Sequence, residues 1–183
     1  MTLLTAESPS DGLRTHEDEL FRLIPELALC KGFAQNNEWH VYDVLEHILH
    51  VIDGVPAEPA LRLCALFHDI GKPESYTEDS DGVGHFRGHW ESSCRIFLGF
   101  AEKHGLDEAL CKTVADLIFY HDVDPSRLDD EGFAKFRKTF DADGIRALYL
   151  LKESDLAAQN PLFYEETHAK QVKQKEQLLR ETV

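Results

Sequence analysis

Apolar residues recur at helical spacing along most of this chain, and few segments show the alternation with a period of two that is typical of strands. In the stretch 38–52 the apolar positions follow each other in steps of three and four, and Gly54 and Pro56 mark the end of that helix. The same pattern predicts helices over 17–29, 59–70, 90–103, 108–121, 132–140, 145–159 and 164–180. We expect Pro25 to kink or split the first of these.

These helices and their short connections predict an all-α protein, a compact bundle of about seven helices in a single domain. The polar, glycine-containing run 77–88 is predicted to be a loop. We expect residues 1–16 to be loosely ordered, because they are rich in small polar residues. Residues 17–160 would then form the helical domain, and 161–183 a charged C-terminal helix or tail.

The charge of the chain narrows the choice of partners. The formal net charge is -15, from 19 Lys and Arg against 34 Asp and Glu. This charge opposes non-specific binding to nucleic acid or to an anionic membrane, so large nucleic acids are not the expected partners. A phosphorylated ligand would instead need cations placed locally. The oligomeric state is left open.

The four cysteines, Cys30, Cys64, Cys94 and Cys111, form no C-x-x-C pair, and three of them lie among apolar residues, where reduced thiols are ordinary. Neither a basic leader nor an apolar run of about 18 residues is present. We therefore expect a cytoplasmic protein.

The dipeptide His68-Asp69 stands at the end of a predicted apolar helix, where Gly71 opens the chain into a loop. It places an imidazole and a carboxylate side by side, and both are common metal ligands. A second pair, His121-Asp122, shows how readily the dipeptide occurs by chance. A metal site therefore requires partners from other segments.

Polar side chains continue the apolar stripes of three other predicted helices, and these are His47, His121 and Asp155. Burying an isolated imidazole or carboxylate is costly, so several such groups from separate helices favour a shared cation. For any one of them, a hydrogen-bonded core histidine or a solvated aspartate is the alternative.

Five segments occur in a particular order: DVLEHIL at 43–49, ALFHDIGKP at 65–73, FRGH at 86–89, YH at 120–121 and ESD at 153–155. As an ordered set they resemble the HD-domain metal-dependent phosphohydrolases, and they are most similar to the HD domain of bacterial tRNA nucleotidyltransferases. The resemblance covers about residues 39–159. It implies an HD-type helical bundle.

Some features of that family's larger members are missing from this sequence. Too few residues precede Trp39 for a nucleotidyltransferase head, and little chain follows Gln159, so we expect a domain that stands alone and does not polymerise CCA ends. The sequence also lacks the acidic pair of guanosine tetraphosphate hydrolases and the Gly-Tyr-Pro signature of cyclic dinucleotide phosphodiesterases.

The resemblance implies that the metal ligands are His47, His68, Asp69, His89, His121 and Asp155, with Asp69 bridging two ions where two are bound. Four imidazoles and two carboxylates suit Mn, Fe, Co, Ni or Zn better than Mg or Ca. One or two such ions would activate a water molecule for attack on phosphorus.

Other residues near these motifs are candidates for contacts to substrate. Lys72 and Arg87 could bind phosphate, with a surface cation as the alternative for each. His85 could also contact substrate, or protonate a leaving group. Asp43 could orient the imidazole of His47, or it could simply cap the helix.

The first hypothesis is therefore hydrolysis of a phosphomonoester or phosphodiester in a small nucleotide, for example a 2′,3′-cyclic or 2′-phosphate. A nucleotide-binding or regulatory HD module with a non-catalytic metal is the alternative. A third is a helical interaction protein that uses its acidic surface and charged C-terminal helix.

Overall fold

The computed structural model describes Leu4 and residues 6–182. The helices are α1 (Pro9–Thr15), α2 (Glu17–Leu23), α3 (Glu26–Cys30), α4 (Val44–Gly54), α5 (Pro59–Phe67), α6 (Lys72–Ser75), α7 (His89–His104), α8 (Glu108–Tyr120), α9 (Asp130–Thr139), α10 (Ala142–Ala157) and α11 (Tyr164–Arg180). Single 3-10 turns occupy Pro125–Arg127 and Pro161–Phe163. One hairpin of β1 (Thr77–Glu78) and β2 (Gly84–His85) supplies the strands of the described residues. The prediction of an all-α single domain is confirmed, with more short helices than the seven expected.

The core lies where α4, α5 and α10 pack against one another, with α8 and α7 on one flank and α11 covering α10. Phe67, Phe97, Ile48, Leu117 and Ile145 are among its fully buried side chains. Each such side chain contributes about 1.5–3 kcal/mol through removal from water. The apolar stripes recognised in the sequence form this core.

The apolar spacing predicts a helix that starts at residue 38, but helix α4 begins at Val44. Asp43 has an extended backbone and its carboxylate accepts the N–H of Glu46 at 2.8 Å, which is the geometry of an N-cap. The preceding chain is held elsewhere, because the carbonyl of Trp39 accepts the N–H of Asn160 at 2.8 Å. Residues 38–42 therefore form a turn that lies beside the end of α10 and precedes α4.

The N-terminal segment is more ordered than expected. Residues 9–15 form α1, and Leu13 is buried where α1 packs on α4. Ser10 donates to the carboxylate of Asp53 at 2.5 Å. The prediction of a loose segment rested on composition, which contains no information about these tertiary contacts. Residues 1–3 and 5 of the predicted segment, and residue 183 at the other end, lie outside the described residues.

Three other predictions can be compared directly with the structure. The first predicted helix is split at Pro25 into α2 and α3, as expected. The segment 77–88, predicted as a loop, contains the hairpin of β1 and β2. Helix α11 packs on α10, where Leu178 is buried and Tyr149 donates to Gln174 at 2.6 Å. The division of the chain into two parts at residue 160 stays a prediction.

Gly71 sets the distance between the turn after α5 and the start of α7. A Cβ atom on Gly71 would lie 2.6 Å from both the His89 carbonyl oxygen and the Ser93 nitrogen. The Gly71 N–H donates to Ser93 Oγ at 3.0 Å. Because only hydrogen fits here, α7 can lie directly against the turn that carries His68 and Asp69.

We predict that Gly71→Ala destabilises the metal-free protein by about 1–3 kcal/mol, since the added methyl group must push α7 away. Urea unfolding followed by circular dichroism measures this change. Gly99→Ala is the matched control: Gly99 lies in the exposed face of α7, and no atom of the described chain is within 4 Å of a Cβ built there. That substitution should stabilise by about 0.5–1 kcal/mol. Equal stabilities for the two variants would contradict the close-packing argument.

Candidate metal centre

Six side chains from five parts of the fold converge at one end of the core. His47 comes from α4, His68 and Asp69 from the turn after α5, His89 from the first position of α7, His121 from the residue after α8, and Asp155 from α10. Five of the six residues are buried, and Asp155 is partly so. The structure thus brings together every ligand that the resemblance implied. Their action as ligands stays a prediction.

The ligand atoms form two overlapping groups, His47, His68, Asp69 and Asp155 in one and Asp69, His89 and His121 in the other, each within 4.8 Å. Asp69 belongs to both. Its Oδ2 atom lies 3.1 Å from His47 Nε2 and 3.3 Å from His68 Nε2. Its Oδ1 atom lies 3.1 Å from His89 Nε2 and 3.6 Å from His121 Nε2. The carboxylate is therefore oriented to bridge two sites.

Every histidine in the cluster directs Nδ1 at a backbone carbonyl oxygen. The distances are 2.8 Å for His68 to Ala65, 2.8 Å for His89 to Phe86, 2.6 Å for His121 to Ile118 and 3.3 Å for His47 to Ala158. A carbonyl only accepts, so each Nδ1 carries a proton. In a neutral ring this leaves Nε2 with a lone pair directed at the centre of the cluster.

The positions of these histidines in the sequence explain their hydrogen bonds. His68 and His121 each follow the last residue of a helix, where carbonyls of the final turn have no partner within the helix. Each ring bonds to the carbonyl three residues earlier. His89 does the same across the turn that precedes α7, which Gly88 allows through a left-handed backbone with φ of 78°. The helix ends therefore fix the orientation of the rings.

The donor set suits a metal for a physical reason that the structure itself provides. His47 Nε2 lies 3.3 Å from His68 Nε2, and His89 Nε2 lies 3.2 Å from His121 Nε2. In the pair of His89 and His121, neutral rings would direct two lone pairs at each other, and these repel unless a proton or a cation lies between them. In addition, Asp69 Oδ1 is buried and has no hydrogen-bond partner among the residues described. These residues fit a divalent ion in each group.

The charges of the cluster follow from burial and from neighbouring groups. Burial lowers the pKa of His47, but hydrogen bonds to Asp155 and Asp69 outweigh it and raise this pKa to about 9. Burial alone would raise the pKa of Asp69, yet His68 and Lys72 hold it well below its usual range. Burial lowers the pKa of His121 and keeps that ring neutral. The cluster thus combines carboxylates with a protonated ring at His47 and a neutral ring at His121. A metal ion that binds at His47 must displace the proton on its Nε2 atom.

Lys72 lies inside the centre and not at its surface. Its ammonium is 2.6 Å from Asp69 Oδ2 and 2.8 Å from Gln35 Oε1, and it lies 3.2 Å from His40 Nε2. The side chain is buried. The sequence predicted a phosphate contact here, and the structure adds a direct ion pair with the bridging carboxylate.

The other predicted contact residues line a cavity of about 270 Å³ that opens from the metal ligands to solvent. Arg87 is exposed at its mouth. His85 also lines it, with Nε2 3.0 Å from the carboxylate of Asp79. His40, which precedes α4, forms part of the wall, and burial with the nearby Lys72 lowers its pKa to about 3. His40 therefore lies there as a neutral ring.

The predicted role of Asp43 in orienting His47 is wrong. The Asp43 carboxylate caps α4 at Glu46 and accepts the N–H of Gly32 at 3.0 Å. The carbonyl of Ala158 takes the place beside His47 Nδ1. Spacing of one helical turn suggested the contact, but an N-cap side chain bends back over the first turn and away from the core.

Lys152 is a residue that the sequence reasoning missed. Its buried ammonium donates to the His121 carbonyl at 2.5 Å and to the Val123 carbonyl at 3.0 Å. It lies one turn before Asp155 on α10, so it ties the helix of one ligand to the chain that carries another. A lysine on the inward stripe of Leu148 and Asp155 was the available signal.

Comparison with known proteins agrees with this geometry. The HD domain family matches residues 36–158, and the chain belongs to that family. A bifunctional uridylyltransferase/uridylyl-removing enzyme of Thiobacillus denitrificans is 29% identical, over 78% of this chain and 19% of that protein. The CC-adding tRNA nucleotidyltransferase of Thermus thermophilus is 39% identical, over 43% of this chain and 17% of that protein. The A-adding tRNA nucleotidyltransferase of Deinococcus radiodurans is 30% identical, over 55% of this chain and 24% of that protein.

The chain thus spans about a fifth of the length of these relatives. HD domains are a superfamily of metal-dependent phosphohydrolases, and the cluster described above is where this chain could hold its metal. None of the helices in the described part of the chain combines the length and apolar character needed to cross a bilayer.

We predict that Lys152→Met weakens binding of the ion at Asp69, His89 and His121 about 10–100-fold, because the clamp on the His121 backbone is lost. Binding at the group that contains His47 should change less. Calorimetric titration with Mn²⁺ and metal analysis after dialysis measure both sites. Lys112→Met, which removes an exposed lysine paired with Asp116 on α8, is the control. A uniform loss at both sites would argue for general unfolding and against the clamp.

Proposed function

We propose that this chain is a metal-dependent phosphohydrolase that uses water to cleave a phosphomonoester or phosphodiester of a small nucleotide. The observation that carries the proposal is the sharing of the buried Asp69 carboxylate by two groups of ligand atoms. Such an arrangement has little use in a purely structural core, because it leaves lone pairs and a carboxylate oxygen without donors. It suits chemistry that needs concentrated positive charge.

Bound divalent ions would supply a water of lowered pKa and would stabilise the charge that develops on phosphate oxygens. The chain's own residues hold the components in place. His68, His89 and His121 present fixed rings, and the cavity lined by His89, His121 and Arg87 could admit a phosphoryl group. Arg87 can bind two phosphate oxygens at once, while Lys72 adds a point charge beside Asp69. His85 lines the same cavity and could contact the rest of the substrate.

The ligand set favours Mn, Fe, Co, Ni or Zn, since imidazole is a common ligand of these ions and Mg and Ca prefer oxygen. The named relatives also support the nucleotide assignment. One is named for removal of a uridylyl group, which requires cleavage of a bond to phosphorus, and two are named for the addition of nucleotides to tRNA. A small nucleotide substrate is consistent with the net charge of -15.

The test begins with metal analysis of the purified protein, followed by a screen of nucleotide monophosphates and cyclic phosphates with Mn, Co, Ni and Zn. We expect metal-dependent release of phosphate or opening of the cyclic ester. Asp69→Ala should abolish this activity and lower the bound metal, because both groups lose their shared ligand. Asp116→Ala, which removes a half-buried carboxylate that pairs with Lys112 on α8, is the control for the loss of a carboxylate.

Circular dichroism separates loss of the metal from loss of the fold in the Asp69 variant. Tight nucleotide binding without turnover under any of these metals would reject the hydrolase and favour a regulatory HD module. A purified protein with no metal above background would reject both the hydrolase and the regulatory module with a bound metal.

We further predict that Arg87→Ala lowers kcat/KM for phosphorylated substrates about 10–100-fold, the loss expected for one charge-assisted contact of about 1.5–3 kcal/mol. The metal content should stay unchanged, since Arg87 lies at the cavity mouth and outside the ligand groups. The matched control is Arg95→Ala, because Arg95 lies on the surface of α7, where it pairs with Glu74. Unaltered kinetics for Arg87→Ala would remove this residue from the substrate site.

A further inference from the structure

A groove continues from the metal centre along α11. A cavity of about 360 Å³ begins at His121 and Asp155 and reaches Lys152 and Gln171. A wider cavity of about 580 Å³ then runs between α11 and the turn at 122–127. The two share Lys152, Gln171 and three other lining residues, so they form one path. We call this path the α11 groove.

The far end of the α11 groove is cationic. Arg127, Lys170 and Lys173 line it, and Lys152 lies on the same wall. Asp122 and Asp124 are the carboxylates among the lining residues, and Asp124 already accepts from Gln174 at 2.6 Å. Lys152 is held by the carbonyls of His121 and Val123, Arg127 lies 3.4 Å from Asp124, and Lys170 lies 2.5 Å from Glu166. Lys173 has no ion-pair partner among the described residues, so it is the cation most available to an anion on this otherwise acidic chain.

The middle of the α11 groove carries groups suited to the uncharged part of a nucleotide. Gln171 Oε1 is a buried acceptor that has no hydrogen-bond partner within the described chain, so an N–H or O–H of a ligand could satisfy it once the side chain turns toward the groove. Trp39 lines the same stretch, is 43% exposed and packs against Phe163 with ring centroids 4.1 Å apart. An exposed indole held in this way offers a face for stacking a base.

We propose that the α11 groove is a subsite for a second phosphate, and that the ligand is a nucleotide with two separated phosphate groups. One phosphate lies at the metal centre, the nucleoside passes Trp39 and Gln171, and the second phosphate reaches Arg127, Lys170 and Lys173. A nucleoside bisphosphate and a dinucleotide share this chemistry. The inference rests on the proposed function, since it takes the metal centre as the place of the first phosphate.

The test compares two charge reversals on one helix, Lys173→Glu in the groove and Lys175→Glu outside its lining. The probes are 5′-AMP, adenosine 3′,5′-bisphosphate and the dinucleotide pApA, each with full-length Mn²⁺-loaded protein. Binding is followed by tryptophan fluorescence in stopped flow, before turnover contributes, and hydrolysis by phosphate release.

We expect Lys173→Glu to weaken binding of the probes with two phosphates about tenfold and to leave 5′-AMP unchanged. Lys175→Glu should alter none of them. Comparison of the bisphosphate with pApA then shows whether the second phosphate is bound as a monoester or within a diester. Equal losses for 5′-AMP and the bisphosphate, or equal losses in the two variants, would overturn the subsite.

The outcomes also separate this inference from the proposed function. Selective weakening of bisphosphate binding by Lys173→Glu, in a protein that hydrolyses no nucleotide, would support the subsite and reject the hydrolase. Hydrolysis of 5′-AMP with no gain in affinity from a second phosphate would support the hydrolase and reject the subsite.

Discussion

The buried carboxylate of Asp69 is the interaction on which the arrangement of this molecule depends. Both of its oxygens face histidine nitrogens, and a lysine ammonium lies 2.6 Å from one of them. An ion this deeply buried is stable only where several partners compensate for the lost water. The partners come from α4, α6, α7 and the residue after α8, so the packing of these helices and the charge of one side chain support each other.

Helix ends explain why so many ligands reach one point. A side chain just beyond the last turn of a helix can bond to a carbonyl that has no partner within the helix, and His68 and His121 both do so. Such a ring is held on one side by the backbone and is free to bind on the other. The ammonium of Lys152 completes this pattern, because it bonds to the carbonyls that follow α8.

Much of this arrangement could be predicted from the sequence, because periodicity reports directly which face of a helix is buried. His47, His121 and Asp155 were identified as polar members of apolar stripes, and the structure places all three at the centre. His89 was different, because it opens a helix after a turn, and the resemblance to a family was needed to select it. The all-α class followed from the same stripes.

The errors have a common physical origin in contacts between distant segments. Composition could not show that α1 packs on α4, or that Asp43 turns back to cap α4 and away from His47. Nor could it show that the ammonium groups of Lys72 and Lys152 are buried, because lysine is ordinarily a surface residue. Each of these features depends on where another part of the chain lies.

The position of Lys72 has a consequence for the newly synthesised chain. Because this ammonium already balances much of the charge on Asp69, the polypeptide carries its own counterion into the core. Folding of the bundle then does not require a metal ion to neutralise this carboxylate, and the opening beside Arg87 offers ions a path into the folded protein.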